Sequence, residues 1–433
     1  MKRLLFRHIP VLRLVTAFLR TRCLSRRLKT RADVERWQAK RIEGWLRETV
    51  AKAGYYRGLS VERLEDLPVI DKSVLMADFE KFNLAGITAD KGWSMLASHP
   101  QPKGLSVGAS TGTSGNRGLF VISDEERYEW LGVMLGKLLP NFPFEKARIA
   151  LILPLNTALY SAANRAGRLR LKFFDLKRGV EALTPQIVAF RPDTIIAPPK
   201  VLRWLAEHDV SLNPKRLFSG AEVLDLVDRR IVEARYGVRL SEIYMATEGL
   251  LATTCRLGTL HLAEDAVHFE LQEVPGGGLV SPIISDFTRR TQVMARYRMN
   301  DLLRLKAEPC ACGSPLRAVA EIVGRCDDIF ELPSASGDGT VLVTPDVLRN
   351  AILDADRRIA DFRLIQDGRD TLRLLLPKHL PAETVEGARA ALARLLHGMG
   401  AEARIVAAQE DLPPPVAKLR RVERRWCAAD AAT

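Results

Sequence analysis

The sequence predicts an α/β protein with a large N-terminal domain of mostly parallel sheet plus a small β region, and a small α+β C-terminal domain. Three observations carry that expectation. Apolar runs of strand length alternate with helically spaced stretches between about residues 147 and 244, the pattern of a parallel sheet covered on both faces. A strand–turn–strand–helix–strand pattern follows, centred on the Asp367-Gly368 turn signal. With 433 residues the chain is too long for one ordinary core, so two domains are expected.

The elements are justified in chain order. Residues 1–31 contain ten basic residues (Lys2, Arg3, Arg7, Arg13, Arg20, Arg22, Arg26, Arg27, Lys29, Arg31) and no acidic one. They supply +10 of the net +13 and leave the other 402 residues close to neutral. Leu5, Ile9, Leu12, Val15 and Leu19 recur at helical spacing, although Pro10 disturbs the first turn. The run lacks a small-residue cleavage site, which argues against a secretory signal. Two readings stand: a helix packed on the body with a solvated basic face, or a patch for anionic lipid or an acidic protein.

Residues 32–52 read as an amphipathic helix, with Trp37, Ile42, Trp45, Leu46 and Val50 among its apolar positions. Residues 67–71 look extended, and Asp71 or Ser73 caps a further helix. Strands are expected at 147–155, 169–176, 193–197, 217–219 and 241–244, with helices at 185–190 and 201–208. After the turn at 275–278, residues 279–286 and 293–297 look like strands of the small antiparallel region. The C-terminal domain should contain a hairpin (362–366 with 372–376), a helix at 381–397 and a returning strand at 404–407. The boundaries expected are a basic segment at 1–31, an N-terminal domain at 32–327 and a C-terminal domain at 328–433.

Composition narrows the function classes. Hydrophobic and charged fractions of 47% and 27% are ordinary for a soluble globular protein, and no apolar run is long enough to span a membrane. Six cysteines in so long a chain do not suggest a disulfide framework, so a reducing cytoplasm fits, with a peripheral position at the membrane as the variant. Nucleic acid is a poor partner, because the basic excess is confined to one terminal segment without a nucleic-acid-binding motif.

The strongest local signal is Ser110, Thr111, Gly112, Thr113, Ser114, Gly115, then Asn116, Arg117 and Gly118. Glycines let backbone N–H groups approach an anion, and hydroxyls add donors to phosphate oxygens; the alternative is a flexible turn. Tyr244-Met245-Ala246-Thr247-Glu248-Gly249 follows a strand, at the carboxyl end where α/β sheets place their ligands. Tyr297-Arg298-Met299-Asn300-Asp301, Gly324-Arg325-Cys326-Asp327-Asp328 and Pro415-Val416-Ala417-Lys418-Leu419-Arg420-Arg421 come after it.

In that order the set resembles the adenylate-forming superfamily of acyl-CoA synthetases and related ligases. It is most similar to the phenylacetate–CoA ligase branch, near a subgroup of adenylate-forming enzymes related to deazaflavin-coenzyme adenylyl synthetases and to a capsule-biosynthesis protein. The resemblance covers nearly the whole chain, including residues 67–71, 118–123 and 261–270. It implies a mobile C-terminal domain that rotates about Asp327. It also implies that Ser110–Gly115 holds the ATP β- and γ-phosphates. Ser219, Gly220, Ala221 and Glu222 would line the adenine pocket, with Tyr244 near the base. Thr247 would contact the α-phosphate and Glu248 would bind Mg²⁺. Asp301 would accept from the ribose hydroxyls, with Arg325 as a further donor, and Lys418 would meet the charge that builds as a carboxylate attacks the α-phosphate. The acid pocket would fall around residues 156–160 and 219–246. Two departures stand out: Arg117-Gly118 replaces the lysine many members carry after the loop, and Ala417 stands where a glycine commonly precedes the catalytic lysine.

Cys255, His261, Cys310 and Cys312 make up a tetrahedral donor set for structural zinc, an arrangement similar to that of some members of the branch. The alternative is unliganded cysteine in turns; Cys23, Cys326 and Cys427 have no evident partner. The function implied is activation of a carboxylic acid, preferably aromatic, as an acyl-AMP, then transfer to the thiol of CoA or an acyl carrier protein. The basic segment suits an acidic carrier or a membrane-associated synthase. The alternatives are AMP transfer to a non-carboxylate acceptor, or a non-catalytic nucleotide-binding scaffold.

Overall fold

The computed structural model describes residues 2–97, 104–110, 117–154, 169–275, 277–412 and 420–427. Two compact units divide the chain: Met1–Leu271 with Pro282–Met299 and Lys306–Ala320, and Gln272–Ser281 with Asn300–Leu305 and Glu321–Thr433.

The first unit opens with helices α1 (Lys2–Arg27), α2 (Arg31–Glu48), α3 (Lys72–Ala77) and α4 (Ala89–Ala97). α2 starts where expected, because Thr30 and Asp33 form a reciprocal capping box. α3 is capped by Asp71, whose carboxylate accepts from the Val74 N–H at 3.0 Å. Pro10 does not break α1. A proline removes only the one bond to the carbonyl four residues earlier, and the later turns are held by packing.

That packing uses a different face from the one the spacing suggested. Leu14, Ala17, Phe18, Thr21 and Leu24 are buried, and Leu14 and Phe18 pack on Tyr128, Leu131, Leu135 and Leu139. Leu12, Val15 and Leu19 are instead exposed. The reason lies on α5 (Asp124–Leu138), where Gly132 and Gly136 let the helices approach closely. A Cβ on Gly132 would stand 2.8 Å from the Ala17 Cβ, and one on Gly136 would stand 3.0 Å from the Thr21 Cβ.

Between α4 and α5 lies the hairpin β1 (Leu105–Ala109) and β2 (Leu119–Ser123). β3 (Ala147–Leu153), β4 (Leu169–Asp175), α6 (Val180–Phe190), β5 (Thr194–Ala197), α7 (Pro199–Glu207), β6 (Arg216–Gly220), α8 (Leu226–Tyr236) and β7 (Leu240–Ala246) follow. β8 (Gly249–Thr254) and β9 (Leu260–Leu262) then run antiparallel. The sheet order is β4-β3-β5-β6-β7-β8-β9, with every pairing from β4 to β7 parallel.

Both faces are covered, as the apolar runs require. Ala150 and Ile152 of β3 join Leu183, Ile187, Val201, Leu205 and Val232 from α6, α7 and α8. Ala147 and Ile149, one residue out of phase, join α1 and α5.

α6 begins at Val180 rather than near residue 185, so Pro185 lies inside it. Gly179, at φ +81°, ends the preceding turn and releases the chain into the helix.

Strands β10 (Val267–Val274), β11 (Leu279–Asp286), β12 (Tyr297–Arg298), β13 (Asp301–Leu305) and β14 (Ala318–Arg325) complete the β region. The strand expected at 293–297 is reduced to β12, paired with Ile283 and Ile284 of β11. Val293, Met294 and Ala295 are buried, hence the strand-like pattern, but Arg296 at φ +46° turns the backbone into the left-handed region.

The second unit contains the hairpin β15 (Phe330–Pro333) and β16 (Thr340–Val343), then α9 (Pro345–Leu353), β17 (Arg363–Gln366), β18 (Thr371–Pro377), α10 (Ala382–Gly398), β19 (Arg404–Glu410) and β20 (Val422–Arg424). Its sheet runs β19-β18-β17-β20, and Leu364, Leu374, Leu392 and Leu396 share one core with Phe330, Leu348 and Phe362. The fold is therefore α/β, with a large mixed sheet that is parallel from β4 to β7 and antiparallel from β7 to β9, and with a smaller C-terminal domain, as the sequence predicts. Among the described residues no helix is long and apolar enough to cross a membrane.

Candidate functional site

In the first unit, two predicted motifs meet because their strands are neighbours. β6 and β7 are parallel, with Gly220 in register with Ile243, so Ser219–Glu222 and Tyr244–Glu248 emerge side by side at the carboxyl ends. Strands in such a sheet end at backbone groups that the next turn leaves free for a ligand. Ala221 sits at φ +70°, a left-handed conformation that costs a residue with a Cβ about 1 kcal/mol. Tyr244 is buried at the end of β7.

Thr247 and Glu248 form the turn into β8, and the Thr247 hydroxyl donates to Glu248 Oε2 at 2.8 Å. One carboxylate beside a hydroxyl suits a hard cation that is also held by substrate phosphates.

Two residues that sequence reasoning passed over support this turn. Arg289 Nη2 donates to the Thr247 carbonyl at 2.8 Å, and its Nε lies 3.8 Å from Asp286 Oδ2. Burial pushes the Asp286 carboxyl above the usual range, against the pull of Arg289 and of bonds from Thr288. Gly249, at φ +148°, leaves room beside it, since a Cβ would stand 3.1 Å from Asp286 Oδ2. Forty-two positions separate Arg289 from Thr247, and no local pattern links them.

The β1–β2 hairpin carries the Ser/Thr/Gly loop. Its base is closed by the Ser110 N–H on the Gly118 carbonyl and the Gly118 N–H on Ser110 Oγ, both at 2.8 Å. Thr111, Gly112, Thr113, Ser114 and Gly115 lie outside the described residues, as do Lys418 and residues 156–160. Arg117, which replaces the expected lysine, stacks over Trp93 at 5.1 Å and donates to the Ser110 carbonyl at 3.3 Å. Lys72, the first residue of α3, also reaches this base: its Cε lies 2.9 Å from where a Cβ on Gly118 would stand.

Below the turn, Glu126 ties the start of α5 to residues 290 and 291. It accepts from the Ser123, Arg290 and Thr291 N–H groups and from the Ser123 and Thr291 hydroxyls. Burial alone would raise its carboxyl, but these donors hold it below the ordinary range.

In the second unit the segments around Asp301 and Arg325 come together. The Cys326 N–H donates to the Asn300 carbonyl at 2.9 Å, and Asn300 Nδ2 donates to Asp327 Oδ2 at 2.5 Å. Asp327 sits in a 3₁₀ turn (Cys326–Asp328), and Arg424 Nε donates to its carbonyl at 3.2 Å. Asp328 is buried 3.1 Å from Arg420, and desolvation raises its carboxyl to about 6 in spite of that guanidinium.

The cysteine–histidine cluster is also assembled. Ligand atoms of Cys255, His261, Cys310 and Cys312 all lie within 4.8 Å of one another. Tetrahedral zinc with the usual bond lengths sets S···S edges of about 3.8 Å and S···N edges of about 3.6 Å. The Cys255–Cys310 sulfurs are 3.9 Å apart, and Cys312 Sγ lies 3.4 Å from His261 Nε2. His261 Nδ1 lies 2.9 Å from the Leu316 carbonyl, which fixes the ring so that Nε2 faces the sulfurs. Hydrogen bonding, first from Thr259, holds the Cys310 thiol below its ordinary value, while burial pushes Cys312 up. The donor set fits zinc; Cys23 and Cys427 are exposed, away from it in sequence and without a disulfide.

No protein-family model and no curated protein sequence matches the chain. Solved structures do. A 2-hydroxyisobutyryl-CoA ligase in its postadenylation state, in complex with 2-HIB-AMP, superposes with a TM-score of 0.65 at 18% identity, over 89% of this chain and 88% of that one. An open conformation of the same ligase, in complex with 2-HIB-AMP and CoA, gives 0.54 at 18% identity over 88% and 90%. An anthranilate CoA ligase in complex with anthranoyl-AMP gives 0.50 at 13% identity over 73% and 65%. The chain shares the fold of adenylate-forming CoA ligases, including their smaller C-terminal domain.

Proposed function

We propose that the chain is an ATP-dependent acid–thiol ligase. A carboxylate attacks the ATP α-phosphate, pyrophosphate leaves, and the acyl-AMP passes its acyl group to the thiol of CoA or an acyl carrier protein with release of AMP. The observation that carries this reading is the side-by-side exit of Ser219–Glu222 and Tyr244–Glu248 from the carboxyl ends of adjacent parallel strands, Gly220 being in register with Ile243. It stands within a fold shared with ligases whose structures hold acyl-AMP.

In this reading Ser110, Thr111, Gly112, Thr113, Ser114 and Gly115 hold the β- and γ-phosphates, and Gly220, Ala221, Glu222 and Tyr244 receive the adenine. Thr247 donates to the α-phosphate in exchange for its bond to Glu248, and Arg289 on its carbonyl holds the backbone of the turn. Glu248 would hold Mg²⁺, which supplies charge neutralisation at the phosphates. Asp301 and Arg325 bind the ribose, Lys418 stabilises the charge developing at the α-phosphate, and Asp327 is the hinge. An aromatic acid is the preferred substrate, on the sequence resemblance to the phenylacetate–CoA ligase branch. Cys255, His261, Cys310 and Cys312 would hold zinc as a structural ion, since a full protein donor set leaves no position for substrate.

The test is carboxylate-dependent ATP–pyrophosphate exchange over aryl and fatty acids. One acid class should support exchange, and Lys418→Ala should lower it about a thousandfold. Absence of exchange with every acid would reject the ligase, and AMP found covalently on a product would replace it with adenylyl transfer.

A further inference from the structure

We propose that the outer face of α1 docks on an anionic membrane surface, through an exposed apolar stripe set among exposed basic residues. The stripe is Val11, Leu12, Val15 and Leu19, exposed at 38%, 62%, 41% and 52% respectively. Positions 11, 15 and 19 repeat every four residues, with Leu12 beside them, so they share one side of the helix. The adjoining side is already used, because Leu14, Ala17, Phe18 and Thr21 are pressed against the glycines of α5. The apolar arc of the helix is thus wider than its seat on α5, and among the described residues its outer part faces no core. A contiguous apolar surface rimmed by charge marks a contact with lipid or another protein.

The charges around it decide which. Arg20, Arg26, Arg27 and Lys29 are exposed, and no acidic residue occurs before Asp33. Arg13 is excluded from the count, since it pairs with Glu125 at 2.7 Å and Glu129 at 3.0 Å. Lys2, Arg3 and Arg7 extend the same helix toward its N-terminus. An apolar stripe on a helix with basic flanks and no acidic residue of its own is the composition that lies in a lipid interface: the stripe enters the acyl boundary while the cations meet anionic headgroups, and Glu125 and Glu129 of α5 are taken up by Arg13 and Arg290. A purely electrostatic dock to an acidic protein would leave Leu12 and Leu19 in water.

Flotation of the full chain with vesicles tests this. Binding to phosphatidylcholine mixed with phosphatidylglycerol should exceed binding to phosphatidylcholine alone by about tenfold or more. Leu12→Gln/Val15→Gln/Leu19→Gln and Arg20→Gln/Arg26→Gln/Arg27→Gln should each reduce it by about tenfold, with the circular dichroism spectrum unchanged. As a check that leaves the stripe intact, a polarity-sensitive dye on Cys23, in a Cys427→Ser background, should shift to the blue on adding the anionic vesicles. Equal binding to both vesicle types, or full binding by the apolar triple variant, overturns the proposal. So does an unshifted dye, and so does binding to an acidic carrier protein with none to vesicles.

Discussion

Three thiols and an imidazole converge to within 4.8 Å in the Cys255–His261–Cys310–Cys312 cluster, while at the ends of β6 and β7 one hydroxyl and one carboxylate bond to each other. The first set satisfies the coordination of an ion by itself, and its geometry is fixed by backbone contacts such as His261 to Leu316. The second gathers strand ends, a turn and a half-buried arginine around groups that, in the proposed function, a nucleotide completes. A site meant to keep its ligand closes around it, and one meant to turn over must be left partly unfilled.

Three measurements would break or sharpen this contrast. The largest effect is expected at the closed site. Cys312→Ser should release the metal, lowering zinc from about one per chain to well below that, and should cost about 4 kcal/mol of stability in thermal or denaturant melts. A wild-type protein purified without zinc, or a variant that melts normally, would remove the closed half of the comparison.

At the open site, Arg289→Lys keeps the charge but loses the fork that spans the Thr247 carbonyl and Asp286. The exchange rate at saturating substrate should fall about tenfold while the melting temperature moves little. An unchanged rate would mean that the turn does not depend on this support.

The smallest effect concerns Asp328 in the second unit. Its carboxyl is raised to about 6, above the ordinary unfolded value near 4. Protonation therefore favours the folded state: the contribution is fully present below about pH 4 and is lost as pH rises through about 6, amounting to about 3 kcal/mol. Unfolding free energy measured from pH 4 to pH 7 should fall by that much more in wild type than in Asp328→Asn. Parallel curves would show that Arg420 compensates the charge fully.

What was legible in the sequence follows from how local each feature is. Strands such as β3 announce themselves because both faces are buried and the residues between are short apolar runs. The strand-end motifs are contiguous, so their residues could be named before their positions were known. The cysteines and His261 were readable as a donor set, but the two halves lie about fifty residues apart and only folding sets their edge lengths. Arg289 and Asp286 carried no pattern at all, since only folding brings the end of β11 and the turn after it against Thr247–Gly249. The partnering face of α1 was misread for a related reason. Leu12, Val15 and Leu19 have a helical period as good as that of Leu14 and Phe18, and what selects between them is the shape of α5.

That selection rests on very few atoms. At Gly132 a methyl group would meet the Leu14 carbonyl as well as Ala17, so an alanine there would pry α1 from its seat. α5 begins at the Ser123 cap, directly after the strand that closes the Ser110–Gly118 hairpin, and Glu126 anchors it beside Arg289. A lesion at one interior glycine would then be felt outward as a changed surface and inward along the strut that braces the Thr247–Glu248 turn.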